Sequence, residues 1–159
     1  AALILLLPAA ALAYDANGVA LRGKEADVKG KYPSVRCQPL EWKSKAADRR
    51  CDDAKIAFAG GVQARITFYL KSDAVQAFDV RFETRDLDRV VDFLKKQYGA
   101  PSAESRDTLE RKDKATRKFY KARWEKGRDY IVLIADLEKS RSSMLASRGN
   151  FEEEIYKIR

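Results

Sequence analysis

The chain reads as an α+β domain: an antiparallel sheet of about six to seven strands, a short N-terminal helix, one main covering helix over residues 86–98 and a short C-terminal helix. Three observations predict this. Residues 56–83 and 118–147 alternate apolar and polar side chains with the period of half-buried strands. Between them Leu87, Val90, Val91, Leu94 and Tyr98 recur at the spacing of one helix face. Short turn signals, Gly60-Gly61 and Gly127-Arg128, separate the alternating runs.

Taken in order, residues 1–13 carry no charge and end in Ala11-Leu12-Ala13, a sequence of the type a signal peptidase cuts. We expect most of a signal peptide here, truncated at its start, followed by one domain over 14–159. The apolar run is shorter than the roughly 20 residues of a membrane span. An Asn17-Gly18 turn comes next, and then a thin-striped helix over 24–32 built on Leu21, Val28 and Tyr32 and ended by Pro33. Residues 34–54 show no period and read as a loop. Cys37 and Cys51 lie within it; in an exported chain two cysteines pair, and closing this loop is worth roughly 3 kcal/mol in the chain-entropy model.

For strands 62–70 and 75–83, a three-residue loop at Ser72-Asp73-Ala74 sets Phe68 opposite Phe78, Ile66 opposite Val80 and Ala64 opposite Phe82, keeping every apolar residue on one face. The helix that follows has Thr84 or Asp86 to cap it, and Gly99 and Pro101 to stop it. Residues 104–111 offer a weak edge strand and Lys112-Asp113-Lys114 a turn. A type II′ hairpin at Gly127-Arg128 then sets Trp124 opposite Ile131, Ala122 opposite Leu133 and Tyr120 opposite Ala135 in the core. A strand over 142–147 and an Asn150-capped helix end the chain. The order of helix, loop and strands, then helix and strands, reads as a pseudo-repeat.

With no His, with its cysteines committed to each other, and with no phosphate-binding loop, nucleophile elbow or metal spacing, the sequence offers no catalytic residue, metal or cofactor. The best carboxylate cluster, Asp52-Asp53, keeps a hydrolase as a distant third reading. Net charge is +8, and residues 112–128 hold eight cations against Asp113 and Glu125, a local +6. Strand geometry places Lys121 and Arg123 on the same side as Val132 and Ile134, beside Tyr130, so this face can meet a partner that is both apolar and anionic. A second candidate surface is the disulfide loop, with Trp42 and Lys43 near Arg49 and Arg50; the alternative for Trp42 is a small satellite core under the loop.

The Gly18-Val19-Ala20-Leu21 start, Glu25-Ala26-Asp27-Val28 and Tyr32-Pro33, followed by a meander, resemble the BamE (SmpA/OmlA)-like and β-lactamase-inhibitory-protein-like families of small exported domains. The resemblance implies a helical segment against an antiparallel sheet, at times in tandem, acting by protein contact rather than catalysis. The lipidated Cys of the assembly lipoprotein is missing here. The expectation is a soluble periplasmic or secreted non-enzymatic binding module for an envelope protein or anionic envelope component, with nucleic acid disfavoured by export. An enzyme inhibitor or envelope-stress protein acting on an anionic surface is the alternative.

Overall fold

Alternating segments pair into an eight-stranded antiparallel sheet in the computed structural model, which describes residues 13–110 and 116–157. A ribbon of β1 (Asp15–Ala16) and β2 (Val19–Ala20) turns at Asn17-Gly18, whose φ angles of 51° and 96° suit this short-side-chain pair. Helix α1 (Glu25–Lys31) leads into β3 (Arg36–Pro39), β4 (Arg49–Phe58), β5 (Val62–Lys71) and β6 (Ala74–Glu83). One 3-10 turn and helix α2 (Leu87–Tyr98) lead into β7 (Ala103–Glu110), β8 (Thr116–Lys126), β9 (Asp129–Asp136) and β10 (Arg141–Arg148), and α3 (Phe151–Glu154) follows. Strand order is β3-β4-β5-β6-β10-β9-β8-β7. A helix followed by a four-stranded meander therefore occurs twice, and the two meanders join edge to edge through β6 and β10.

The class is mostly β, not the expected α+β, and the main sheet has eight strands rather than six to seven. Two stretches account for the difference. Within 34–54, read as a loop, β3 and the start of β4 are paired through Cys37 opposite Cys51, which are joined by a disulfide. Their register follows from that link, while Arg36, Gln38, Arg50 and Asp52 occupy the alternate positions and give no apolar period. Strand β7 pairs along its whole length with β8, yet its residues 103–108 are exposed; an edge strand with one paired side can be polar throughout. The segment 1–12, the turn expected at 112–114, and Ile158 and Arg159 lie outside the described residues.

The β5–β6 register matches Phe68 with Phe78, Ile66 with Val80 and Ala64 with Phe82. The device differs from the expected three-residue loop. Ser72 and Asp73, at φ 48° and 59°, make a two-residue turn, and a bulge that leaves Gln76 as the extra residue restores the apolar match. Across Gly127, at φ 61°, Trp124 faces Ile131, Ala122 faces Leu133 and Tyr120 faces Ala135.

One face of the sheet carries the main core. Phe58, Ile66, Phe68, Phe78, Leu133 and Met144 are buried there with Val28 of α1, and Leu87, Val90 and Leu94 of α2. The first ribbon closes this layer: Tyr14 packs edge-on to Tyr98 at 4.8 Å, and the Tyr98 hydroxyl donates to Asp15 Oδ1 at 3.0 Å. Thr84 does not cap α2; its Oγ1 bonds Ser142 Oγ at 2.8 Å, tying the second helix to β10. The other face carries a small separate cluster, in which Phe151 and Ile155 cover Tyr69, Ala77 and Leu145.

Candidate functional site on the outer face of the sheet

Register lays out the outer face as rows across the strands. One row runs Asp52, Thr67, Asp79, Leu145, Val132, Arg123, and the next runs Arg65, Arg81, Ser143, Ile134, Lys121. Both rows pass from an apolar residue of β9 to a cation of β8, beyond which lie Ala103 and Ser105 of β7. On the far side Arg65 and Arg81 form a second cationic border, and their direct cross-strand pairing is a like-charge arrangement that costs stability.

The apolar centre between these borders has only a partial cover. Helix α3 ends short of it, leaving a groove of about 330 Å³ lined by Val132, Ile134 and Leu145, with Tyr69 and Tyr156 at its sides. Ile134 is 43% exposed and Tyr156 76% exposed, the most exposed large apolar side chains among the described residues. Both belong to this groove. The placement follows from β9, whose run Tyr130-Ile131-Val132-Leu133-Ile134-Ala135 is apolar on both faces although only one is buried under helices.

Asp79 also lines this groove. Its side chain is only 17% exposed, and its one ion-pair partner among the described residues is Arg81, whose Nε donates to Oδ2 at 3.3 Å. Burial pushes the Asp79 carboxyl above the ordinary carboxylate range, with Arg81 acting in opposition. Burial, and then the nearby Asp79, likewise raise the Tyr69 phenol. A half-buried carboxylate at the edge of an apolar groove is retained here at an energetic cost.

The sequence-derived candidates fall into three places. Lys121, Arg123, Tyr130 and Val132 come together on the outer face: the Arg123 guanidinium lies 4.7 Å from the Tyr130 ring centre, and its Nε donates to Glu125 at 2.8 Å. Trp42 is partly buried with the small cluster under the loop, donates from Nε1 to the Ile155 carbonyl at 2.7 Å and stacks on Tyr156, so it meets the groove only through that ring. Lys43 is exposed beside it. Arg50 lies on the outer face next to Tyr69, 2.9 Å from Asp52. Arg49 leaves by the opposite face and pairs with Glu25 of α1 at 2.7 Å, outside the site.

Neighbours in sequence, Asp52 and Asp53 point to opposite faces of β4. Asp52 accepts from Thr67 Oγ1 at 2.6 Å, and Asp53 accepts from Ser34 Oγ at 2.8 Å, so they do not form the facing carboxylate pair a hydrolase uses. Among the described residues, the grouping of ligand-type side chains is Glu25 with Cys37 and Cys51, whose sulfurs are bonded to each other. No helix among the described residues is long and apolar enough to cross a membrane.

Sequence reasoning missed Asp79, Leu145, Tyr156, Arg65 and Arg81 as members of this face. A usable signal was present in Val132 and Ile134, apolar residues at the outward positions of a strand facing Lys121 and Arg123. No protein-family model, curated protein or solved structure matches the chain.

Proposed function

We propose that this chain is an exported, non-enzymatic protein-interaction module, binding through the outer face of its sheet a partner that presents apolar side chains flanked by carboxylates. The observation that carries this reading is the incompletely covered Val132–Ile134–Leu145 groove with cations on both borders, Lys121 and Arg123 on one side and Arg65 and Arg81 on the other. Removing such apolar surface from water drives association, and the bordering charges select the partner and its orientation.

Two features favour the narrower reading of an enzyme inhibitor or similar protein-directed regulator. The succession of helix and meander occurs twice in one sheet, as in the tandem arrangement implied by the resemblance to β-lactamase-inhibitory-protein-like domains. The groove also offers apolar surface, which a purely electrostatic contact with an anionic polymer does not require.

Affinity capture from envelope extract with the intact chain, Ile134→Glu and the double variant Lys121→Glu/Arg123→Glu tests the reading. The expected result is one captured protein that persists at moderate salt and is lost with Ile134→Glu, the double variant weakening it. Retention on anionic material that vanishes with salt and ignores Ile134→Glu replaces the reading with the anionic-surface alternative. Capture that survives both variants overturns it.

A further inference from the structure

We propose that a second site, lined by neither Lys121 nor Arg123, binds a multiply charged oxyanion of the phosphate type. It is a pocket of about 400 Å³ at the end of the sheet where five parts of the chain converge. Arg22 enters from the segment after β2, Lys45 from the loop before β4, Lys71 from the end of β5, and Arg128 and Arg148 from the β8–β9 turn and the end of β10. Against these five cations stand two carboxylates, Asp129 and Glu154, leaving a net charge of +3.

The pocket has a built interior. Asp129 is buried and takes both terminal nitrogens of Arg22, at 2.7 and 3.0 Å, so its charge is already engaged. Arg22 reaches it from a left-handed backbone at φ 76°, a conformation a non-glycine residue holds only where its surroundings enforce it. Arg148 Nε is buried with no hydrogen-bond partner among the described residues. Burial, and then the proximity of Arg22, lower the affinity of Arg148 for its proton, with Asp129 acting in opposition.

An oxyanion in this pocket would supply acceptors for the guanidinium groups and relieve their mutual repulsion. Phosphate does both, because its oxygens match the planar arginine fork. The volume lies within the range of small-molecule sites, so there is room for a pyrophosphate or for the group that carries a phosphate ester.

Calorimetric titration of the full chain with inorganic phosphate and with pyrophosphate, at ionic strength held constant with chloride, tests this directly. Saturable binding is expected, tighter for pyrophosphate, with a rise in melting temperature. Arg148→Gln should weaken it about tenfold or more, the scale of one lost charge-assisted hydrogen bond. Arg128→Gln, at an exposed turn position, should also weaken it and provides a second variant with little demand on folding. Lys121→Glu/Arg123→Glu should leave it unchanged. Vesicles of phosphatidylcholine with phosphatidic acid, whose headgroup is a phosphate monoester, distinguish the source: Arg148-dependent vesicle binding assigns a lipid headgroup, and phosphate binding without it assigns a free phosphate. No saturable binding of either probe, or binding indifferent to both Arg148→Gln and Arg128→Gln, overturns the proposal.

Discussion

The indole Nε1 of Trp42 donates to the Ile155 carbonyl at 2.7 Å. The same ring stacks on Tyr156, with centroids 6.0 Å apart, so one residue of the disulfide loop fastens the C-terminal turn over the outer face of the sheet. Ser44 reinforces the joint by donating to the Glu154 carbonyl at 3.0 Å.

Trp42→Ala is therefore expected to act as a stability change before it acts on binding. Loss of a half-buried ring and its hydrogen bond should cost about 2 kcal/mol by denaturant titration, with faster hydrogen exchange over residues 151–156. Trp42→Phe keeps a ring and loses the donor, so about half that cost is expected. Unchanged stability together with lost capture would instead make Trp42 a contact residue.

The parts of this fold that were legible in the sequence are those governed by a repeating apolar pattern. The β5–β6 and β8–β9 registers followed from refusing to expose Phe68, Phe78, Trp124 or Ile131. Strand β3 was hidden because its order comes from a covalent link and an edge position, neither of which has a period. The bulge at Gln76 was hidden for a related reason: a two-residue turn with one extra residue and a three-residue loop give the same core match, and only the backbone distinguishes them. At the site, Lys121 and Arg123 could be placed beside Val132 by strand parity alone, whereas Tyr69, Leu145 and Asp79 joined them only once β6 was seen to lie beside β10. That pairing spans the two meanders, and no local pattern encodes it.

Acid stability should depend on Glu25. Arg49 Nε donates to its Oε1 at 2.7 Å and Lys29 lies 3.0 Å from Oε2. The Arg49 hydrogen bond is the largest influence and holds the Glu25 carboxyl below the ordinary range, with burial opposing it. Because the folded state binds this proton less readily than the unfolded chain, the stabilisation is complete above the unfolded value near 4.3 and is lost as pH falls through the lower folded value. Glu25→Gln should lower stability at neutral pH by less than about 1 kcal/mol, since both cationic partners are solvent-accessible, and the difference from the parent should shrink below about pH 4. Denaturant titrations across the acid range measure it.

At the other end of the scale, burial raises the Tyr98 and Tyr120 phenols. The stability held by their neutral forms is present below about pH 10 and is lost as pH climbs toward the raised folded values. The tyrosinate absorbance that is lost in Tyr98→Phe and Tyr120→Phe, as distinct from that of exposed rings such as Tyr156, should therefore rise together with the loss of circular dichroism above about pH 10. Ionisation that precedes unfolding would show that these rings are more accessible than their burial implies.

Asp79 provides the clearest separation of function from folding. Burial raises its carboxyl above the unfolded value, so the folded state favours the proton, and its contribution to stability falls as pH rises through that raised value. At neutral pH Asp79→Asn removes a desolvated charge while keeping shape and hydrogen-bonding capacity, and Arg81, 64% exposed, remains solvated without it. The variant is expected to be more stable than the parent at pH 7, on the order of 0.5–1 kcal/mol, with the gain disappearing as the parent is titrated toward acid. If the groove binds a partner as proposed, the same change should alter affinity, because an amide on the groove wall replaces a carboxylate that the fold carries at a cost. Equal stability of the two proteins across the pH range would show that Arg81 and solvent already compensate the charge, and the fold would then carry Asp79 at no cost.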